Sequence, residues 1–343
     1  MEIPAFGSLL DIGNSHNITS ILQCLIGYNS FTEFILFFAV QNEDENMFYH
    51  ILKIFEKQIQ SPCIVQPVKF MNYFEDKVCE DQLLDTTLDM FIKAMSIEHK
   101  SNRLSKVRIS ENIRRYLGVL KQLKKAESFE LPSSNFQVLK SEYKKYRSLY
   151  RTEIIYTSVN CLWRDEQRSK SLKLMELFYG QFVDTTVCNE CMYQQHDFET
   201  YNMIKQNKAS KESVVFDTIM ELVSDKEKVN TKCNNCGSID STKQRLVIRA
   251  PTILILSLME GQKFTLETFV NLNTFTSITN SENGNLYKLQ SFIIETNGVL
   301  TSYTQRNDKW YKYTTKTGNC IDLLSIEQLK HIQPKMIFYK YIE

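Results

Sequence analysis

Two short cysteine motifs, Cys188-Asn189-Glu190-Cys191 and Cys233-Asn234-Asn235-Cys236, decide how this sequence folds. They are separated by 41 residues, and each places two thiols on one tight turn. Gly237 follows the second motif and suits such a turn, because glycine tolerates backbone conformations that other residues avoid. Together the two turns provide the four thiolates of a tetrahedral zinc site, with Zn–S distances of about 2.3 Å. Since sulfur fills all four positions, the sequence predicts a structural Zn²⁺ ion and not a catalytic one.

Two unrelated cysteine pairs are the alternative interpretation of these motifs, because a single C-x-x-C is common. A spaced pair of such motifs is typical of metal sites, and we prefer that interpretation. Residues 182–187 lead into the first motif and residues 244–248 leave the second, and both stretches have the β-branched composition of strands. The sequence therefore predicts a β-ribbon that is held by metal at its tip.

The composition indicates that the chain can bury a sizeable hydrophobic core. It has 343 residues, of which 43% are hydrophobic and 12% aromatic, enough for one large domain or two smaller ones. The formal net charge of +1 provides no overall attraction to nucleic acid or to a membrane surface. The longest apolar run, residues 34–40, is too short to span a bilayer. We therefore expect no membrane association.

The cysteines and the N-terminal residues indicate the cellular compartment. Residues 1–8 show neither the basic part nor the apolar part of a secretory signal. Nine cysteines in such a chain are expected to stay reduced, which also suits a zinc site. We predict a cytoplasmic or nuclear location.

Hydrophobic spacing divides the chain into a helical first half and a β-rich second half. Spacing of 3.6 residues predicts helices over residues 18–28, 31–40, 47–58 and 82–95, with Ser15 or Asn17 as the cap of the first. From Leu174 onward the pattern favours strands, above all residues 252–258, 287–295 and 336–341. The predicted fold class is α+β.

Residues 100–151 are strongly basic and contain few acids. We interpret residues 100–160 as a helical insertion, which is either simply solvated or a docking face for an acidic protein or an RNA backbone. The basic residues are Lys100, Arg103, Lys106, Arg108, Arg114, Arg115, Lys121, Lys124, Lys125, Lys140, Lys144, Lys145, Arg147 and Arg151.

Several phrases in the chain resemble, in order, those of the ubiquitin-specific proteases. Residues 10–25 resemble the opening box G-L-x-N-L-G-N-T-C-Y-M-N-S-x-L-Q-x-L, and residues 250–256 are similar to L-P-x-x-L-x-I-x-L. Further similar phrases are residues 177–182, 287–289, 302–303, 309–311 and 337–339. The resemblance implies a papain-like fold with a helical thumb, a β palm and zinc-ribbon fingers. On it we predict a single domain, 1–343, with thumb 1–99, insertion 100–160, fingers 174–250 and palm 251–343.

The resemblance also implies that the catalytic positions have changed. The family's cysteine falls on His16, its histidine on Ser302, its aspartate on Thr314 or Thr315, and its oxyanion asparagine on Asp11. A cysteine protease needs a thiolate, an imidazole that takes its proton and a group that orients the imidazole. A carboxylate at Asp11 would repel the negative charge that develops on the substrate oxygen. We expect no catalytic residues at these positions.

The leading functional hypothesis is therefore a catalytically inactive family member that acts as a protein-interaction scaffold in a larger complex and retains at most weak ubiquitin binding. One alternative is an active deubiquitinase with a relocated nucleophile, although Cys24 is interpreted as a core residue. Another is an adaptor in an RNA-processing complex, with RNA bound by residues 100–151, since inactive relatives occur in spliceosomal and messenger-RNA deadenylation assemblies.

Overall fold

A computed structural model divides the chain into two compact units, residues 1–100 with 170–343 (the larger unit) and residues 101–169 (the helical unit). The residues described are 7–12, 15–41, 46–60, 64–75, 83–98, 109–128, 133–168, 170–206, 212–214, 219, 226–259, 263–272, 285–306, 309–314, 319–323 and 333–342. Thr315, Cys63, Cys79, His99 and His331 lie outside these residues. The proposed division into thumb, fingers and palm stays a prediction.

The helices of the larger unit come mostly from the first hundred residues. They are α1 (His16–Leu25), α2 (Asn29–Gln41), α3 (Met47–Gln60), α4 (Val68–Glu75), α5 (Leu84–Glu98) and, after the helical unit, α9 (Leu172–Phe178). The four predicted N-terminal helices are confirmed as α1, α2, α3 and α5. Helix α4 was not predicted, because eight residues are too few to repeat an apolar spacing clearly.

The prediction that β structure starts at Leu174 is wrong for residues 174–178, which belong to α9. The Ser171 hydroxyl caps this helix by accepting a hydrogen bond from the backbone N–H of Leu174 at 3.4 Å. Ser171 thus marks the start of α9, which the apolar pattern did not indicate. At α1 the opposite holds, since Ser15 occupies the cap position but its side chain makes no capping hydrogen bond.

Four strands form an antiparallel sheet that carries the cysteine motifs. They are β1 (Gly180–Cys188), β2 (Gln194–Tyr201), β5 (Glu227–Val229) and β6 (Ser241–Arg249), in the order β2-β1-β6-β5. We call it the cysteine-tipped sheet. Val187 of β1 lies opposite Gln194 and Thr242, so that β1 runs between its neighbours up to the first motif.

The second, larger sheet has the order β13-β12-β11-β10-β14-β7-β3, with β9 paired to β10. Its strands are β3 (Ile204–Lys205), β7 (Ile253–Ser257), β9 (Phe269–Asn271), β10 (Leu286–Thr296), β11 (Val299–Arg306), β12 (Lys309–Thr314), β13 (Asn319–Leu323) and β14 (Pro334–Ile342). Two short strands, β4 (Glu212–Val214) and β8 (Lys263–Thr265), pair separately. Asn297 and Gly298, at φ 53° and 72°, join β10 to β11 in the left-handed backbone conformation that two-residue hairpins favour.

Aromatic side chains fill the space on one face of the large sheet. The rings of Phe292 and Tyr303 stack with centroids 4.7 Å apart, and Trp310 lies 5.6 Å from Phe292. Tyr287 is fully buried in the same cluster. Trp310 therefore packs in the core together with Tyr287 of β10.

The helical unit is built from α6 (Glu111–Ser128), α7 (Ser133–Leu149) and α8 (Arg151–Glu166). Its buried apolar residues include Ile113, Leu123, Val159 and Trp163. In the described part of the chain, no single helix of either unit is long and apolar enough to cross a membrane, and α1 with α2 passes that test only as a pair bent by 105°.

Candidate functional site

The two cysteine motifs lie on turns whose backbone is closed by hydrogen bonds. The N–H of Met192 donates to the Cys188 carbonyl at 2.9 Å, and the N–H of Gly237 donates to the Cys233 carbonyl at the same distance. Both donors have a positive φ, 56° for Met192 and 79° for Gly237. The use predicted for Gly237 is therefore confirmed, and Met192 adopts the equivalent conformation in the first turn.

The four sulfur atoms come together between these turns. The Sγ atoms of Cys188, Cys191, Cys233 and Cys236 all lie within 4.8 Å of one another. The Cys188–Cys236 distance is 3.5 Å and the Cys191–Cys233 distance is 3.6 Å. A tetrahedron with metal–sulfur bonds of about 2.3 Å requires sulfur separations of roughly 3.8 Å. The cluster thus has the size and donor chemistry for a metal ion such as zinc.

Two asparagines support the cluster. The Asn235 side-chain amide donates to the Cys191 sulfur at 3.2 Å, and this hydrogen bond is the main reason that the pKa of Cys191 falls to about 6. Asn189, in the first turn, donates to the carboxylate of Asp240 at 2.7 Å, and Asp240 directly precedes β6. Both asparagines lie inside the C-x-x-C motifs, yet the sequence analysis assigned them no role.

Helix α1 and strand β11 meet along a regular series of hydrogen bonds. Three side chains on one face of β11 donate to backbone carbonyls of α1 or of the turn that follows it. Ser302 donates to Ser20 at 3.1 Å, Thr304 to Gln23 at 3.4 Å, and Arg306 to Ile26 at 3.3 Å. Each step of two residues along β11 matches a step of three along the helix. We call this series the α1–β11 ladder.

A model of the ubiquitin carboxyl-terminal hydrolase family matches residues 8–339. The chain belongs to this family. Two solved structures are similar over 100% of this chain and 70% of theirs, one of the yeast SAGA DUB module with a mutant Sgf73 (TM-score 0.64, 12% identity) and one of the SAGA Ubp8/Sgf11/Sus1/Sgf73 DUB module bound to ubiquitin aldehyde (TM-score 0.61, 14% identity). At these identities the likeness concerns the fold, and the predicted ubiquitin-specific protease fold is confirmed. A search of curated proteins gives no match.

The ladder includes one of the positions predicted for the changed catalytic residues. His16 is the first residue of α1 and half-buried, whereas Ser302 contacts Ser20, one helical turn further on. Continuing this pattern by one step predicts that Leu300 lies near residues 16–17. The assignment of the family's histidine position to Ser302 stays a prediction.

Asp11 lies a few residues before α1 in the chain, and Thr314 lies next to β11 in the large sheet. The Asp11 carboxylate accepts a hydrogen bond from the Ser15 hydroxyl at 2.7 Å, and that hydroxyl accepts one from the N–H of Ile12 at 2.8 Å. The loop before α1 is thus held by a carboxylate. Thr314 ends β12 and pairs with Thr301, between Leu300 and Ser302.

Cys24 is the thiol next to β10 and β11, and its environment is unsuited to a nucleophile. It is fully buried, and burial raises its pKa to about 12. A cysteine nucleophile must be ionised and accessible. The interpretation of Cys24 as a core residue is confirmed.

The described histidines offer no base for such a thiol. The His50 ring lies between Tyr49 and Tyr73, and His196 shares a hydrogen bond with Thr185 on the cysteine-tipped sheet. His16 begins α1.

Proposed function

We propose that this member of the ubiquitin carboxyl-terminal hydrolase family is catalytically inactive and acts as a protein-interaction scaffold. The single observation that carries the proposal is the occupancy of the start of α1, where the family's nucleophile belongs. An imidazole stands there, and the thiol further along the helix is buried and held neutral. Without a thiolate, acyl transfer has no attacking group.

The residues around this position point the same way. The α1–β11 ladder, continued by one step, supports apolar Leu300 near the helix start, and Ser302 donates to a backbone carbonyl. Thr314 offers a hydroxyl where a carboxylate would orient the base. Asp11 introduces a negative charge where an amide would stabilise the oxyanion. None of His16, Ser302, Thr314 and Asp11 supplies the chemistry of the role it replaces.

A structural zinc ion belongs to this proposal. Cys188, Cys191, Cys233 and Cys236 would hold it as thiolates, and the hydrogen bond from Asn235 favours the ionised form of Cys191. With four sulfur ligands the ion has no open position, so its role is to hold β1 and β6 together at the tip of the sheet.

We infer that the scaffold works within an assembly of several proteins, in the cytoplasm or the nucleus. Both similar structures are of a module in which several proteins assemble, and one holds a ubiquitin derivative. The likeness of the fold to these structures supports protein partners and weak ubiquitin binding.

The helical unit supports a second contact, with an acidic partner. The side chains of Arg114 and Arg115 are 68% and 61% exposed and lie 3.6 and 3.7 Å from Glu111, at the outer limit of ion pairing. The described lysines at 121, 124, 125, 144 and 145 are also exposed. An acidic protein surface is the favoured partner, and an RNA backbone is the alternative.

The decisive experiment measures cleavage of a fluorogenic ubiquitin substrate and labelling by an electrophilic ubiquitin probe. We expect neither with the wild-type protein, and the Cys24→Ser variant should behave identically. Turnover by the wild type would contradict the proposal. Turnover that disappears in Cys63→Ser or Cys79→Ser would identify a relocated nucleophile and establish an active deubiquitinase.

A further inference from the structure

A cavity of about 740 Å³ lies between α3 and the first turn of α4. Its size is within the range of pockets that bind small molecules or a few residues of a peptide. The residues that line it belong to α3, to the segment before α4 and to the start of α4. None of them is a position of the changed catalytic set or of the cysteine cluster.

The charged side chains that line the cavity are all basic. Lys53, Lys57 and Lys69 line it, and no described lining residue is acidic. Lys53 is paired with Glu56 at 2.7 Å, on its own helix. Lys57 and Lys69 are exposed and have no ion-pair partner in the described part of the chain. Two ammonium groups therefore remain to attract an anion.

The start of α4 adds to this positive field. Pro67 and Val68 line the cavity, and the helix begins at Val68. The first N–H groups of a helix have no partner within the helix, and the aligned peptide dipoles place partial positive charge at this end. An anionic group in the cavity would meet both these N–H groups and the lysines.

His50 is an independent sign that the cavity receives a polar ligand. It lines the cavity and is only 8% exposed. Its ring is held between Tyr49 and Tyr73, at centroid distances of 5.8 Å each, and its ring nitrogens have no hydrogen-bond partner among the described residues. These nitrogens are not among the fully buried polar atoms of the described residues, so a ligand in the cavity can offer them a hydrogen-bond partner.

The rim of the cavity is apolar. Ile64 is 51% exposed and Val68 is 42% exposed. A free inorganic anion would leave these side chains in water, whereas a peptide carrying apolar residues beside its acids would cover them.

We propose that this cavity binds a short acidic peptide segment of a partner protein. A carboxylate of the peptide is received by Lys57, Lys69 and the start of α4, a second polar group contacts His50, and an apolar side chain packs on Ile64 and Val68. The site is separate from the ubiquitin hydrolase positions and does not depend on the chain being inactive.

The test uses the full chain and two fluorescein-labelled ten-residue peptides, one alternating Glu and Leu and one alternating Gln and Leu. Fluorescence anisotropy should show tighter binding of the Glu peptide. The Lys57→Glu/Lys69→Glu variant should weaken that binding by roughly tenfold. The matched variant Lys226→Glu/Lys228→Glu changes the net charge equally on exposed residues beside or within β5 and should leave binding within about twofold.

Two further variants check the assignment. Ile64→Ser should weaken binding of the Glu peptide, because the apolar rim is part of the site. If charge reversal disturbs folding, as judged by circular dichroism, Lys57→Gln/Lys69→Gln replaces it and should also weaken binding. Equal binding of both peptides, equal loss in the two charge-reversal variants, or calorimetric binding of inorganic phosphate with no binding of the Glu peptide would overturn the proposal.

Discussion

Ser302 in β11 donates its hydroxyl to the backbone carbonyl of Ser20 in α1 over 3.1 Å, with both residues buried. The contact is one step of the α1–β11 ladder, in which two residues of strand advance with three residues of helix. Two strand residues span about 6.7 Å and three helical residues rise by about 4.5 Å, so the strand and the helix do not advance equally along the ladder. It fixes which side chain of β11 faces which turn of α1.

The close approach at the end of the ladder predicts the effect of Gly27→Ala. A Cβ at Gly27 would lie 2.9 Å from the Thr304 methyl group, and Thr304 is fully buried. The side chain cannot move away without losing its place in the ladder. We expect the free energy of unfolding of the larger unit to fall by about 1–3 kcal/mol.

Gly118→Ala is the matched control, because a Cβ there meets nothing within 4 Å and the residue lies in α6. Alanine should stabilise that helix by about 0.8–1 kcal/mol. The unfolding of each unit can be followed by its own tryptophan, because Trp310 lies in the larger unit and Trp163 in the helical unit. Urea unfolding followed by fluorescence in Trp163→Phe and Trp310→Phe backgrounds reports each unit. Equal stability of wild type and Gly27→Ala would show that the approach is not tight.

The cysteine cluster predicts one zinc ion per chain. Replacing any of Cys188, Cys191, Cys233 and Cys236 by serine should abolish stoichiometric zinc, because a closed site loses a quarter of its ligands and its charge balance. Cys161→Ser, outside the cluster, should keep it. Elemental analysis of the purified proteins measures this. Wild-type protein without zinc, and with all four thiols open to alkylation, would contradict the prediction.

Asp184 predicts how the cysteine-tipped sheet responds to acid. Burial opposes its charge, but hydrogen bonds from Arg245 at 2.7 and 2.8 Å and the ammonium group of Lys243 at 2.8 Å outweigh that cost and lower the pKa of Asp184. Its contribution to stability is therefore present above the unfolded-state pKa and is lost as the pH falls through the lower folded-state value.

The Asp184→Asn variant should remove this part of the acid dependence and reduce stability near neutral pH. Denaturant unfolding of wild type and variant between pH 2 and pH 7, values chosen to bracket an ordinary carboxyl pKa, measures both effects. Glu227→Gln on exposed β5 is the control and should leave the wild-type profile in place. Parallel curves for wild type and Asp184→Asn would contradict the assignment.

The exposed arginines of α6 predict a change in binding without a change in stability. Arg114→Glu/Arg115→Glu should alter the unfolding free energy of the helical unit by less than about 0.5 kcal/mol, because exposed pairs contribute little. Binding of labelled polyglutamate should weaken, and single-stranded RNA should bind less strongly than polyglutamate in wild type. Tighter binding of RNA, with a steep salt dependence, would establish the RNA alternative.

The sequence predicted the metal cluster and most elements well, because both rest on strong local signals. Four thiols in two spaced C-x-x-C motifs have few other uses, and α1 and β14 repeat their apolar spacing over a whole element. The start of α9 was missed because a capping serine, Ser171, outweighed a strand-like composition. The cavity beside α4 could not be foreseen, since it depends on how α3 and residues 64–70 meet in three dimensions.

The family phrase around Ser302 leads to a prediction that the sequence alone does not test. A serine followed by a tyrosine resembles the family's histidine–tyrosine pair, and the alignment on letters placed the base at Ser302. The ladder instead ties Ser302 to Ser20. A shift of two residues preserves the face of a strand, so burial patterns alone cannot reveal it. An experiment must therefore ask which of Leu300 and Ser302 lies near the start of α1.

This register predicts where an engineered metal site will form. His16 already supplies one imidazole at the start of α1. Leu300→His should add a second imidazole facing it, and two such groups bind Ni²⁺ as a pair. Because an ion that binds only the folded state stabilises it, Ni²⁺ should raise the Tm of Leu300→His protein. The same ion should leave the Tm of Ser302→His unchanged relative to its own metal-free form, since that position faces Ser20. Leu300→His combined with His16→Gln is the control and should lose the response. Stabilisation of Ser302→His by Ni²⁺, without stabilisation of Leu300→His, would contradict this register and support Ser302 as the family's base position.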